Sequence, residues 1–324
     1  MTTIARIRNT RFFDIFSKPA VGPLMSLLIA CLFFSTQTPR FMTGANFSLI
    51  VQQVSVVGAL AIGQTLVILT SGIDLSNGSV MALGSVMMAS LAVNMHMNPI
   101  AAFLLGVLVC VAFGLLNGAL VTFIKLPPFI VTLGTLNIAF AITRIYTNQT
   151  ITDLPEFLTF LGRTFKIGST SITYGSVLMF ALFVIAWWVL QYTAPGRQLY
   201  AVGDNPEAAR LAGINTTRLV IGVYTVAAFM YGIAALLIIA RTGVGDPQAG
   251  QNSNLESITA VVLGGTSLMG GRGNILGTLV GAMIVGVFRN GLQLMGVPSI
   301  YQVLITGILV ILAVSVDQLS HRGK

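Results

Sequence analysis

Charge is what this chain has least of. Of its 324 residues only 8% are Asp, Glu, Lys or Arg, against about a quarter in an ordinary soluble domain. With 55% hydrophobic residues, that shortage excludes a soluble globule and points to an integral membrane protein. The nine acidic residues are scattered, so no carboxylate pair is set up for acid–base work. Cysteine is as scarce: Cys31 and Cys110 are the two. Each lies in an apolar run with no second ligand at a useful spacing, which argues against a disulfide or a metal site. The two histidines, His96 and His321, have no catalytic company. No Ser/His/Asp or Cys/His arrangement appears, so an enzyme reading has no chemistry to stand on. Nor does G-x-x-x-x-G-K-[ST] occur, and the Gly-Lys pair at the last two residues is the only one. The chain therefore does not bind ATP through a P-loop.

The net charge of +8 does not imply nucleic acid, since no sustained basic patch interleaves with aromatics. The basic residues fall beside apolar runs instead. Runs of about 17–25 apolar residues suffice to cross a bilayer as helices. About ten candidates are present, at 20–36, 48–70, 79–93, 99–124, 127–146, 172–192, 217–240, 256–267, 274–295 and 299–316. Those at 79–93 and 256–267 are short for a full crossing, as expected of broken helices buried in protein. Arg6, Arg8, Arg11 and Lys18 precede the first run. No small-residue cleavage site follows, so it reads as an uncleaved span.

Lys and Arg set the orientation. With residues 1–19 in the cytoplasm and alternating spans, the inner side holds Arg6, Arg8, Arg11, Lys18, Lys125, Arg197, Arg210, Arg218, Arg272, Arg322 and Lys324. The outer side holds Arg40, Arg144, Arg163, Lys166, Arg241 and Arg289. Roughly eleven against six places both termini and the 193–216 loop inside. Residues 147–171, with Asp153 and Glu156, become the main outer loop. Trp187, Trp188 and Tyr192 fit an aromatic belt at the inner interface.

The polar stretch 193–218 reads as loop, very short helix, loop. Asn205 is a good N-cap, Pro206 suits the first helical position, and Glu207 faces the positive end of the dipole. Gly213 can take the left-handed turn that ends a helix. Ala208, Leu211 and Ala212 share one face, with Glu207 and Arg210 off it. So short a helix is marginal in water and needs something to dock on. It is either a connecting turn or a docking knob for a partner protein.

Two further stretches are helix breaks. In the first, Ser71-Gly72-Ile73-Asp74-Leu75-Ser76-Asn77-Gly78-Ser79, Asp74 lies between two apolar spans. A charge at the bilayer centre costs about 2.5–3.5 kcal/mol, so Asp74 must be near the surface, be capped, or face a cavity. Ser76 or Asn77 is placed to cap a helix starting at Gly78. That capped junction is favoured over direct substrate contact. The second break is Ala260 to Gly273, where Gly264, Gly265, Gly270 and Gly271 permit unwound turns and Arg272 anchors the inner side. Both units read helix, Gly-rich break, helix in the same direction. They predict parallel repeats, spans 1–4 matching spans 7–10. Gln64, Asn117, Asn137, Asn290 and Gln293 are polar residues inside spans. Each suits either a polar translocation path or a bond to a neighbouring helix. Gln52 and Gln53 are as readily interfacial.

Three motifs carry a resemblance. Glu207-Ala208-Ala209 followed by Gly213 is similar to the "EAA…G" cytoplasmic loop of bacterial ABC importer permeases. The wider run, Tyr200-Ala201-Val202-Gly203-Asp204-Asn205-Pro206-Glu207-Ala208-Ala209-Arg210-Leu211-Ala212-Gly213-Ile214-Asn215, resembles that loop in the ribose-type monosaccharide permeases. Gly72-Ile73-Asp74-Leu75-Ser76, then Gly78-Ser79, is similar to their "GIDLSVGS" signature, with Asn77 departing from the usual Val. Ala260-Val261-Val262-Leu263-Gly264-Gly265-Thr266-Ser267-Leu268-Met269-Gly270-Gly271 resembles their "AVVLGGTSLxGG" signature. The three, in order, cover the chain from about residue 45 to the end.

The resemblance implies an all-α permease subunit of the bacterial inner membrane, about ten helices, carrying a monosaccharide by alternating access. It implies two permease copies, a separate ATPase that binds ATP and Mg, and a periplasmic sugar-binding protein. The 203–213 helix would enter a cleft in that ATPase. An ion-gradient-driven transporter of a small polar solute is the alternative. Against it, Asp74 is the only carboxylate plausibly placed inside the membrane to carry an ion.

Overall fold

Hydrocarbon offers no partner to a backbone N–H or C=O, so a long apolar run must satisfy its own backbone by forming a helix. The structure, a computed structural model, describes residues 21–168 and 170–322. The basic cluster Arg6, Arg8, Arg11 and Lys18 and the expected 1–19 cytoplasmic tail lie outside them.

Each expected apolar stretch coincides with a helix. These are α1 (Val21–Gln37), α2 (Gly44–Leu69), α3 (Asn77–Val93), α4 (Pro99–Phe123) and α5 (Pro128–Tyr146). After one turn, α6 (Glu156–Thr159), a small antiparallel pair follows, β1 (Thr164–Ile167) with β2 (Thr170–Thr173). Then come α7 (Tyr174–Tyr192), α8 (Ala194–Asp204), α9 (Pro206–Leu211), α10 (Thr216–Thr242), α11 (Ser253–Leu263), α12 (Ile275–Leu294) and α13 (Ser299–Arg322). Among the described residues, α2, α4, α5, α7, α10 and α12 are long and apolar enough to cross a membrane.

Two features depart from expectation. The β1–β2 hairpin interrupts an otherwise helical chain. Its strands hold Thr164, Thr170, Ser171 and Thr173 in a segment too short and polar to build a helix of its own. The 193–204 stretch is helical, not a loop. Thr193 caps α8 by accepting from Gly196 N, and Pro195 sits in its first turn, so helix starts immediately after α7 ends.

α2 and α10 form the centre of the bundle. α10 lies against α4, α2 and α3, while α2 also meets α11, α12 and α7. Their contact residues are almost fully buried, including Leu60, Ile62, Ala227, Tyr231 and Ile239. α11 has 11 residues, or about 16 Å at ~1.5 Å per residue. That is half of a ~30 Å hydrocarbon core. It is therefore a half-helix, held by backbone contact: a Cβ added at Gly281 would lie 1.9 Å from the Ala260 carbonyl oxygen.

The chain's turns gather at two ends. Ser71 bonds Gly203 and Met269 at one end. At the other, Ile151 and Gly245 exchange both backbone bonds at 2.9 Å, and the Ser48 hydroxyl donates to the Ser171 carbonyl.

Gly281→Ala should force α12 off α11. We expect a loss of about 1–3 kcal/mol, read as a lowered thermal midpoint of the detergent-purified chain. Gly134→Ala, where a Cβ meets nothing within 4 Å, should leave that midpoint unchanged or slightly raised.

Candidate functional site

The three motif stretches, far apart in sequence, meet in one junction. Ser71 follows α2 with φ +62°, left-handed backbone that costs a non-glycine residue. Its hydroxyl reaches Gly203 O (3.0 Å) and Met269 O (2.8 Å). Gly271 N donates to Leu69 O at 3.0 Å, capping the end of α2. Gly270 and Gly271 both have positive φ, which glycine alone adopts freely. At Gly203 a Cβ would fall 1.8 Å from Leu69 O and 2.6 Å from Gly271 N, so only glycine fits. Tyr200 on α8 adds a bond to Gly273 O at 3.0 Å. Burial there pushes its phenol above the ordinary range, keeping it a donor at neutral pH.

From this junction α8 runs into α9 with one residue between. Asn205 caps α9, accepting from Glu207 N (3.0 Å) and Ala208 N (2.9 Å). Gly213, at φ +87°, ends it. Only Ala209 is buried; Ala208, Leu211 and Ala212, the expected docking face, are exposed, Leu211 at 78%. Glu207 and Arg210 form a loose exposed pair at 3.6 Å. The helix thus presents its apolar side outward from the bundle.

Above the junction, residues 72–76 are non-helical and polar groups close around them. Asp74 is buried, and its Oδ1 accepts from Ser76 N (2.8 Å) and Ser76 Oγ (2.6 Å). Its Oδ2 accepts from the Tyr231 hydroxyl of α10 at 3.1 Å. The expected cap is thus reversed. Neither Ser76 nor Asn77 caps α3 through its side chain; Asp74 caps the break and ties it to α10. Asn117 of α4 donates to Ser76 Oγ at 3.2 Å. Asn77 donates to Gln64 of α2 (3.0 Å) and to Ser257 of α11 (2.9 Å). The Asn77 departure from the motif therefore does more than alter packing: it links the first break to α2 and α11. At the second break, Gly264 approaches Gly277 of α12 backbone to backbone, and Gly265 has φ +83°.

The suggested path residues separate. Gln64, Asn117 and Asn290 are buried and bonded to neighbouring groups, Asn290 to Asn46 of α2 at 2.9 Å. Asn137 borders a cavity of about 230 Å³ between α3, α5 and residues 247–254. Gln293 is exposed.

One functional candidate escaped the sequence. Glu256, at the start of α11, is 8% exposed, and it bonds Arg289 of α12 at 2.9 and 3.2 Å. Asp74 is therefore not the only buried carboxylate. The pair borders a second cavity of about 140 Å³ between α11, α12 and α13. The signal was present, an acid and a base on adjacent apolar segments, but their pairing depends on how the half-helix packs.

Residues 46–314 match the family model described as the permease component of branched-chain amino acid transport systems. This chain belongs to that permease family. The permease is 46% identical over 309 residues to the fructose import permease of Rhizobium meliloti, covering 93% of this chain and 86% of the relative. It is 39% identical over 301 residues to the ribose import permease of Bacillus subtilis, covering 92% of each. With that of Escherichia coli it shares 38% over 299 residues, 91% of this chain and 92% of the other. The family match spans all three motifs.

Tyr231→Phe should remove the bond that ties the first break to α10. We expect a cost of about 1–2 kcal/mol, seen as a lower thermal midpoint of the purified permease. As a control, Tyr192→Phe, at a position exposed at 59%, should leave the midpoint unmoved.

Proposed function

We propose that this permease is the membrane-spanning subunit of an ATP-driven, binding-protein-dependent monosaccharide importer of the bacterial inner membrane. Its relatives are named as import permeases for fructose and ribose, which supports a sugar cargo and gives no support to an ion-driven carrier. In this reading ten helices enter the membrane, with α3 and α11 meeting breaks, and the α2–α3 and α11–α12 units form a parallel repeat. Both termini and residues 193–216 are cytoplasmic, and residues 147–171 form the main periplasmic loop. Two copies pair into a pathway, two ATPase subunits binding ATP and Mg sit below, and a sugar-binding protein docks above. No nucleic acid is involved.

The observation that carries the mechanism is the junction of Ser71, Gly203 and Met269. α9 offers an exposed apolar face, with Glu207 and Arg210 beside it, as a knob for the ATPase. Movement of that knob reaches both helix breaks through one short lever, α8. Gly203 has no slack against Leu69 and Gly271, so a shift of the lever must move the breaks too. ATP binding would close the ATPases, draw α9 with them, and re-pack the breaks so that the sugar is released inward. Binding energy is thus turned into a change of access by differential contact. Gln64 and Asn117 hold the moving parts in register; Asn137 faces the solute. Asn290 is a joint between α2 and α12.

Capture of the ATPase by detergent-solubilised permease tests the docking knob. Glu207→Ala combined with Gly213→Pro should abolish capture, because proline cannot adopt φ +87° and the turn after α9 is lost. A wild type that retains no ATPase from its own membrane would sink the importer reading. Ser71→Ala tests the lever separately. It should keep ATPase capture and ATP hydrolysis while reducing sugar uptake about tenfold, as expected for about 1.4 kcal/mol of lost coupling. Uptake equal to wild type would show that the hydroxyl bridges are dispensable.

A further inference from the structure

A cavity of about 230 Å³ lies between α3, α5 and residues 247–254. It is lined by the amides of Asn137, Gln248, Gln251 and Asn254, the hydroxyl of Ser79, and the ring of Phe140. Its volume lies below the ~300–1,000 Å³ usual for drug-sized ligands, which suits one small solute. Among the described residues no carboxylate or lysine lines it. The one charged neighbour among them, Arg144, donates to Asn148 at 3.4 Å, and its guanidinium carbon sits 5.7 Å from the Phe140 ring centroid. Arg144 is thus the one charged lining residue described, and the other polar groups of the wall are uncharged amides and hydroxyls, which suit a neutral polar occupant.

Its hydrogen-bonding capacity is open. A primary amide offers two donors and an acceptor, which matches hydroxyls that both give and take. The Gln248 and Gln251 side chains bond no described residue. Asn137 spends only Nδ2, on Leu133 O at 2.9 Å, and its Oδ1 accepts from no described residue. Phe140 is 43% exposed and supplies an apolar face for C–H groups. Amides around one ring are what a polyol with an apolar face requires.

The cavity also touches the first break. Asn254 donates to Leu75 O at 3.3 Å, and Gly250 packs on Gly78 so closely that a Cβ on Gly78 would meet its carbonyl oxygen at 2.5 Å. Asn254 lies in the first turn of α11, the helix that leads into the second break. An occupant bonded to both Asn137 and Gln251 would bridge α5 to the segment that joins the two breaks.

We propose that this cavity is a monosaccharide-binding station within each permease copy, with Asn137, Gln248 and Gln251 as hydrogen-bonding residues and Phe140, beside Arg144, as an apolar contact. The proposal rests on the importer reading above and adds the place where the sugar pauses. Because the occupant bridges elements that lead to the breaks, its binding is linked to the state of the pathway. These side chains then contribute to which sugar is carried, alongside the binding protein.

The test uses the complete importer, permease with its ATPase and binding protein, in proteoliposomes. Uptake of radiolabelled fructose, ribose, galactose and allose is measured with ATP. Asn137→Leu and Gln251→Leu should each lower uptake of the best-carried sugar about tenfold, the equivalent of about one lost hydrogen bond. They should also change the ratio between two of the sugars about threefold or more, which a purely structural defect would not do. Asn137→Gln and Gln251→Asn should recover part of the uptake. Ile138→Leu, on the same helix and outside the cavity lining, should match wild type. Leucine variants that capture the ATPase normally and keep both rate and ratio within twofold of wild type overturn the station while leaving the importer reading intact. Leucine variants that lose ATPase capture, with no recovery in the conservative pair, overturn it as well, since the amides would then be structural joints. A wild type that carries none of the four sugars overturns the importer reading, and the station with it.

Discussion

Every interruption of a helix inside hydrocarbon leaves backbone groups that only protein can satisfy. Among the described residues, the chain leaves helix at residues 70–76 and 264–274, and the architecture around them depends on how these breaks are closed. Each supplies what the other lacks. Gly271 gives its N–H to the last carbonyl of α2, and Ser71 gives its hydroxyl to the Met269 carbonyl. A third stretch completes the closure, since the Gly203 carbonyl takes the same hydroxyl. The glycines are there because three backbones must touch; a side chain at Gly203 would displace Leu69 or Gly271.

That closure has a consequence for motion. The element that faces the cytoplasmic partner in the proposed mechanism is joined without slack to both breaks. Deeper in the bundle, Asp74, Ser76, Tyr231, Asn117, Asn77, Gln64 and Ser257 link five helices through side-chain bonds. The network is only partly satisfied, since Gln64 Nε2, Asn77 Oδ1 and Asn117 Oδ1 are buried without a partner among the described residues. α9 is held by one buried alanine and its asparagine cap.

Family membership and geometry bear on different questions. Membership, with 46% identity to a fructose import permease, bears on what kind of machine the chain belongs to. Geometry bears on which residues transmit movement and which face solute. Asn137 and Asn117 are the same residue type in similar apolar surroundings. Asn137 lines a cavity, and Asn117 is buried with its Nδ2 donated to Ser76.

The sequence by itself determined the membrane class, the helical segments, the short helix after Asn205 and the two breaks. These follow from local rules: hydrophobic length, capping chemistry and glycine content act over neighbouring residues. It did not determine that residues 194–204 are helical, because Thr193 and Pro195 start a helix that its polar composition disguises. It left the role of Asp74 to the fold, since a carboxylate beside a helix start can cap, bind or sit exposed. Only the tertiary structure decided that Asp74 bonds Tyr231, 157 positions away, that Glu256 pairs with Arg289, and that the three motifs share one junction. Such contacts depend on which helix faces lie together, and a bundle whose apolar residues surround each helix carries little periodic signal to say so.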